Sequence, residues 1–328
     1  MSDAPVVVIY FPFAQAELEM LRSAVGPGEL VVCDDYEHFL AELPRAEVVC
    51  AFRLPRDFLQ RARRLCWLQN PGAGVDHLAA LGILDPQLPL LVTNVSGIHA
   101  VPISEYVFAS MLNFARRWPR MFALQERHEW PQGERWEELR GEELYEHTLA
   151  VIGLGSIGRR LAQLGKAFGM YVLGIRHDPP SDPASDPHAH EVYGPDHLID
   201  VLHRADYVVI SVPLTAETRG MIGERELRAM RPHAYLVNIA RGQIIDEAAL
   251  IRALTEGWIA GVGLDVVVQE PLPADSPLYN LPNVILTPHI SGVTGRYSER
   301  VARIFAENLR RYRAGEDLTH LVNKTRGY

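Results

Sequence analysis

The sequence predicts an α/β protein made of two doubly wound domains, each with a parallel sheet. Short apolar runs alternate with amphipathic helical patterns through the first hundred residues. A second series of the same kind begins at Thr148. A glycine-rich turn separates the first strand of that second series from its first helix. At 328 residues the chain has room for two domains of roughly 100–200 residues each.

Residues 6–11 read as a buried strand and 14–25 as an amphipathic helix ending near Gly26, Pro27 and Gly28. Further strands fall at 30–33, 48–51, 65–69 and 90–94, with helices at 36–43 and near 56–63. A helix over 102–116 opens on a proline, which the first turn tolerates, and joins the two series. The stretch 118–146 is rich in charge and carries Trp118, Trp130 and Trp136. In the second series, 149–152, 171–175, 207–211, 235–239, 261–267 and 284–287 read as buried strands, and 157–168 as a helix. Residues 178–190 are rich in proline and aspartate and read as a surface loop. The last helix, 297–313, gathers Val301, Ile304, Phe305 and Leu309 on one face and needs a domain to pack against.

Composition excludes several functions. A net charge of −9 leaves no basic footprint for nucleic acid. The only lysines, Lys166 and Lys324, lie in a helical pattern and a polar tail, so neither suits Schiff-base chemistry. Cys33, Cys50 and Cys66 lack CxxC spacing, which argues against a disulfide framework or thiolate metal site. Cys50 and Cys66 lie in apolar runs and are expected in the core. The chain's start lacks a basic n-region and its apolar run is short for a signal peptide. No stretch approaches the roughly 20 apolar residues of a membrane span. A soluble cytoplasmic protein is expected, without membrane partner or metal. His188, His190, His197 and His203 cluster in sequence but lack ligand spacing, and read as surface residues.

Gly153-Leu154-Gly155-Ser156-Ile157-Gly158 follows a strand directly and opens a helix. There the first glycine makes the tight turn, the second lets backbone approach a pyrophosphate, and the third lets helix pack on strand. Phosphates would meet free N–H groups and the positive end of the helix dipole. The alternative is a tight turn without a ligand. The strand at 171–175 then ends at Arg176-His177, with Asp178 two places beyond Arg176. A carboxylate there would accept from a ribose 2′-hydroxyl, whereas a guanidinium can bind a 2′-phosphate. NADP(H) is therefore favoured, and NAD stays open if Arg176 stacks on adenine or Asp178 reaches the ribose.

Arg241, Glu270 and His289 each follow a strand at the sheet end where α/β folds hold ligands. A fixed cation, a carboxylate and an imidazole suit reduction of a 2-oxoacid. The guanidinium can clamp the substrate carboxylate. The imidazolium can protonate the carbonyl oxygen as hydride arrives and act as base in reverse. A carboxylate bonded to the second ring nitrogen fixes the ring and favours its charged form. Each residue alone has an ordinary structural reading, Arg241 as a helix cap and His289 as a satisfied histidine.

With these residues in place, the chain resembles the D-isomer-specific 2-hydroxyacid dehydrogenases over nearly its whole length. The resemblance rests on Ala205-Asp206 with Pro213-Leu214-Thr215-Ala216-Glu217-Thr218, and on Asn238-Ile239-Ala240-Arg241-Gly242 with Asp246-Glu247. It rests equally on Gly263-Leu264-Asp265-Val266 with Glu270-Pro271, and on Asn283 through Thr287-Pro288-His289-Ile290. It implies Arg241 as carboxylate binder, His289 as acid/base and Glu270 as its partner. Asp265 would lie near the nicotinamide, and Val212, Pro213, Thr218 and Ala240 would line the cofactor. The loop Asn70-Pro71-Gly72-Ala73-Gly74-Val75-Asp76 resembles the family's substrate loop, whose Gly72, Ala73 and Gly74 N–H groups would hold the carboxylate, although a plain strand-to-helix turn reads the same way. Val267-Val268 stands where the family often has an aromatic, and Arg176 where an acidic residue is usual. Glu270 sets the chain apart from the formate dehydrogenase branch, which commonly has glutamine there.

The resemblance implies a Rossmann cofactor domain (100–289) inserted into a flavodoxin-like substrate domain (1–99 and 290–328). The active site is expected in a cleft between them, and a homodimer is expected around the 118–136 helices unless that segment packs on its own subunit. His99 is read either as facing substrate or as structural. The expected reaction is NAD(P)H-dependent reduction of a small 2-oxoacid to a D-2-hydroxyacid, by a glyoxylate/hydroxypyruvate reductase or a broader branched-chain 2-oxoacid reductase. A dinucleotide-sensing regulator of the same fold is the rival reading.

Overall fold

The computed structural model describes residues 4–325. The first three residues, which enter the reading of the chain's start, and residues 326–328 lie outside the described residues. The chain forms two compact units, Met1–His99 with Val293–Tyr328, and Ala100–Gly292.

In the first unit, β1 (Val6–Tyr10), α1 (Gln15–Val25), β2 (Glu29–Val32), α2 (Tyr36–Glu42), β3 (Val48–Ala51), α3 (Phe58–Arg61), β4 (Trp67–Gln69), α4 (Asp76–Ala79) and β5 (Leu91–Thr93) alternate. The five strands are parallel in the order β2-β1-β3-β4-β5, the flavodoxin-like arrangement. Successive residues of a strand face opposite ways, so Val7 and Ile9 join Leu21, Trp67, Phe305 and Leu309 on one face. Val8 meets Phe39, Leu43 and Phe58 on the other. Burial on both faces explains why these strands read as continuous apolar runs.

The second unit opens with α5 (Ala100–Ala115), α6 (Trp118–Glu126) and α7 (Glu134–Glu137). It continues through β6 (Thr148–Ile152), α8 (Ser156–Ala167), β7 (Tyr171–Ile175), β8 (Glu191–Tyr193), α9 (Leu198–Arg204) and β9 (Tyr207–Ile210). Then come α10 (Glu224–Ala229), β10 (Tyr235–Asn238), α11 (Glu247–Thr255), β11 (Gly261–Leu264) and β12 (Val284–Leu286). Its parallel sheet runs β12-β11-β10-β9-β6-β7-β8, a Rossmann order that reverses between β6 and β9. The final helix α12 (Tyr297–Ala314) returns to the first unit and buries Val301, Phe305, Leu309 and Tyr312.

Several expectations need correction. The strand at 261–267 stops at Leu264, and Val266 is buried without belonging to it. The helix near 56–63 shrinks to Phe58–Arg61. Cys66 is exposed, while Cys33 and Cys50 are buried. His190 is not a loose surface residue: its Nδ1 accepts from the Val172 amide at 2.9 Å, and its ring stacks on Tyr171 at 4.5 Å. It introduces β8, a strand that was not anticipated. Among the described residues, no helix is long and apolar enough to cross a membrane, and no group of three His, Cys, Asp or Glu is placed to hold a metal.

Candidate active site

At the switch point, Gly153 takes φ +102°, donates its amide to Ile175 O at 2.8 Å, and receives Ser211 Oγ on its carbonyl at 2.8 Å. A Cβ on Gly158 would lie 1.9 Å from that same Gly153 carbonyl, so glycine is what lets α8 rest on the turn. Gly155 differs. Its φ is −72° and a Cβ there would meet nothing within 4 Å. The chain's own packing therefore requires the first and third glycines, and leaves open space above the second. Ser156 and Ile157 begin α8, where first-turn N–H groups have no intrahelical acceptor. Donors, dipole and open space together fit a pyrophosphate. Gly155→Ala should therefore leave the melting temperature within a few degrees while raising cofactor KM about tenfold or more. Gly158→Ala should lower the melting temperature itself, so thermal melts and cofactor titrations of the two variants check the distinction.

Beyond β7, Arg176 donates its amide to Tyr193 O at 3.0 Å, so the unanticipated β8 fixes its backbone. Its Nη1 lies 3.6 Å from the buried Asp186 carboxylate, while His177 and Asp178 are exposed and pair with each other at 3.1 Å. Beyond β9, Val212 abuts Gly153, and Thr218 Oγ1 donates to Pro213 O at 2.7 Å, closing that loop.

The arginine turn is folded by Asn238, which is fully buried at the end of β10. Its Nδ2 donates to Arg241 O at 2.9 Å and its Oδ1 accepts the Ala240 amide at 3.0 Å. Arg241 Nη1 donates to Ala240 O at 2.7 Å. A Cβ on Gly242 would lie 2.0 Å from the Val267 carbonyl carbon, so the arginine turn passes directly against the loop that carries Glu270. Glu270 Oε1 accepts the Val267 amide at 3.2 Å, and Oε2 lies 2.8 Å from His289 Nδ1. An ionised carboxylate can only accept, so Nδ1 carries the ring proton and Nε2 is the nitrogen left for chemistry.

His289 sits at φ +54°, a left-handed conformation uncommon for a residue with a side chain. The segment is pinned by Asp265, only 2% exposed. The Asp265 carbonyl accepts the His289 amide at 2.8 Å. Its carboxylate accepts Thr287 Oγ1 at 2.6 Å and the amides of Ile290 and Ser291 at 2.9 and 3.0 Å. Because Thr287 gives its proton to Asp265, Tyr106 O–H is the donor of the 2.7 Å bond to Thr287, and burial pushes the Tyr106 hydroxyl up to about 12. Sequence reasoning missed the supporting roles of Ser211, Asn238, Thr287 and Tyr106. Asn238 and Thr287 lay inside the quoted motifs, whereas nothing local marks Tyr106.

In the first unit the Asn70–Asp76 loop leaves β4 with the carbonyls of Pro71, Gly72, Ala73 and Gly74 all bonded to the protein. The His99 ring lies tilted against Tyr297, centroids 5.3 Å apart, and its Nδ1 is buried without a hydrogen-bond partner. Burial, with Arg300 adding repulsion, lowers its pKa to about 4, so the ring is neutral at physiological pH.

A reversed parallel sheet with this glycine turn defines a dinucleotide-binding protein of Rossmann type. The profile described as "D-isomer specific 2-hydroxyacid dehydrogenase, NAD binding domain" matches residues 108–291. A glyoxylate reductase of Thermococcus litoralis is 39% identical over 313 residues, 94% of this chain and 91% of that protein. A D-3-phosphoglycerate dehydrogenase of Methanocaldococcus jannaschii is 33% identical over 97% of this chain, which spans only 59% of that longer protein. The crystal structure of a D-isomer specific 2-hydroxyacid dehydrogenase of Xanthobacter autotrophicus in complex with NADPH and MES aligns with TM-score 0.83 at 28% identity, covering 99% of this chain and 100% of that one. The chain belongs to the D-isomer specific 2-hydroxyacid dehydrogenase family, whose members are NAD(P)-dependent oxidoreductases.

Proposed function

We propose that the protein reduces a small 2-oxoacid of the glyoxylate and hydroxypyruvate class to its D-2-hydroxyacid, using NADPH in preference to NADH. The observation that carries this reading is the 2.8 Å contact between His289 Nδ1 and Glu270 Oε2. It leaves Nε2 for proton transfer and gives the ring a fixed partner. Bound NAD(P)H supplies the hydride. His289 Nε2 holds the proton that passes to the substrate carbonyl oxygen and takes it back in the reverse direction. Glu270 holds the ring in place through that contact. Arg241 receives the substrate carboxylate as a bidentate partner, and the N–H groups of Gly72, Ala73 and Gly74 hold it as well. Asp265 serves the carboxamide side of the nicotinamide and anchors the His289 segment. Gly153, Gly155, Ser156, Ile157 and Gly158 take the pyrophosphate, while Val212, Pro213, Thr218 and Ala240 line the dinucleotide.

Arg176 carries the cofactor preference, with His177 beside it. Its guanidinium is a third exposed and stands where a ribose 2′-substituent would be read. A homodimer is part of the reading: Trp118, Phe122, Trp130 and Trp136 are each about half exposed or more, an aromatic surface that a second subunit would cover.

Absorbance assays with glyoxylate, hydroxypyruvate, pyruvate and a branched-chain 2-oxoacid, each with NADH and NADPH, test the reaction. No oxidation of either cofactor with any of these acids overturns it. Arg176→Ala should raise the KM for NADPH by about 10–100-fold and leave that for NADH within twofold. Equal effects on both cofactors would remove Arg176 from the assignment.

A further inference from the structure

The carbonyls of the Asn70–Asp76 loop are held by the surrounding protein. Four consecutive carbonyls accept five hydrogen bonds. Tyr297 O–H donates to Pro71 O at 2.8 Å. Asn70 Nδ2 donates to Gly72 O and to Gly74 O, both at 2.9 Å. The Val95 amide adds a second bond to Gly72 O at 3.2 Å, and Asn94 Nδ2 donates to Ala73 O at 2.8 Å. In a trans peptide plane the C=O of one residue and the N–H of the next point in opposite directions. Holding the carbonyls of residues 71–74 therefore directs the N–H groups of Gly72, Ala73, Gly74 and Val75 away from the clamp. Successive amides aimed to one side are an anion-binding concavity.

Two of the donors stand out. Asn70 is fully buried and both bonds of its side-chain NH2 run to the loop's own carbonyls, whereas its Oδ1 is buried with no partner. An unbonded buried oxygen is unfavourable, so what this side chain contributes is its NH2 group. Tyr297 reaches the loop from α12, with its ring set between Phe11 at 6.3 Å and His99 at 5.3 Å. Those neighbours fix the hydroxyl's direction independently of the bond it makes.

We propose that Asn70 and Tyr297 are positioning residues that aim the Gly72–Gly74 amides at the substrate carboxylate, and so set affinity for the oxoacid. The inference rests on the reading of this loop as the substrate loop. Asn70→Ser removes both bonds to Gly72 and Gly74. Tyr297→Phe removes one and keeps the ring, which covers the case in which the Asn70 variant fails to fold.

The test is steady-state kinetics of the full chain with NADPH and whichever of glyoxylate or hydroxypyruvate the parent turns over faster. Oxamate serves as a carboxylate competitor that cannot be reduced. For Asn70→Ser, the oxoacid KM and oxamate Ki should both rise about tenfold, and for Tyr297→Phe about threefold, with the NADPH KM within twofold of the parent. A merely structural role would move the cofactor constant as well. Folded variants with parental oxoacid KM and oxamate Ki, or with a parallel rise in NADPH KM, overturn the clamp while leaving the proposed reaction in place. A parent that neither reduces these acids nor binds oxamate overturns the functional reading, and the clamp with it.

Discussion

His289→Ala should lower kcat by about 10²–10⁴-fold, the usual contribution of a positioned acid/base group. The side chain is half exposed at the end of a pinned segment, so its loss opens no core cavity and the melting temperature should stay near the parent's. Cofactor KM should also stay put, since the glycine turn is built from other elements. Glu270→Gln gives the finer reading. Its amide carbonyl can still accept from Nδ1, but without the charge that strengthens a hydrogen bond to a carboxylate. A loss of order tenfold is expected, smaller than that of the histidine. Stopped-flow measurement of cofactor oxidation under single-turnover conditions isolates the proton-coupled step from product release. Full turnover by a folded His289→Ala protein would remove this histidine from the chemistry.

The two sheets were legible in the sequence because strands buried on both faces, such as Val48–Ala51, write unbroken apolar runs. The same logic explains the overreach beyond Leu264. Val266 is 1% exposed, so burial outlasts strand pairing and the apolar run hides the point where the chain leaves the sheet. β8 was invisible for the opposite reason. It is an edge strand of three residues with only Val192 buried, and Glu191 engages Arg204, Tyr171 and Tyr193. Those groups protect the edge and make it look like loop.

At the candidate site, residue types could be read but support could not. Glycines at 72 and 74 announce a loop that backbone can approach closely. The hydroxyl that holds Pro71 comes from 226 residues further along, where no local pattern points to it. Likewise Glu270 and His289 stood out by chemistry, but the Val267 amide that holds Glu270 and the Asp265 carbonyl that holds His289 lie in no pattern around either residue.

Asp265→Ala is the substitution expected to cost most stability. It removes the 2%-exposed carboxylate that accepts the Thr287 hydroxyl and the amides of Ile290 and Ser291, of which the Ser291 bond is the most deeply buried. A buried donor left without its acceptor costs about 1–3 kcal/mol, more when the acceptor was charged, and three that share one partner are not additive. A loss of about 3–5 kcal/mol is expected, or roughly 10 °C in melting temperature for a unit of this size. The left-handed backbone at His289 persists because the surroundings impose it, so releasing its neighbours lets the segment relax. Activity should therefore fall with stability, even though Ala at 265 removes no proposed proton-transfer group. Asp265→Asn separates the two effects. It keeps the volume and one acceptor oxygen but turns an NH2 group toward amides that also donate. It should recover part of the melting temperature and little of kcat. Thr287→Val, which deletes one donor together with the link to Tyr106, should cost less than either in kcat. An Asp265→Ala protein that melts with the parent would show that the three donors find other acceptors, and that the His289 segment holds its shape by itself.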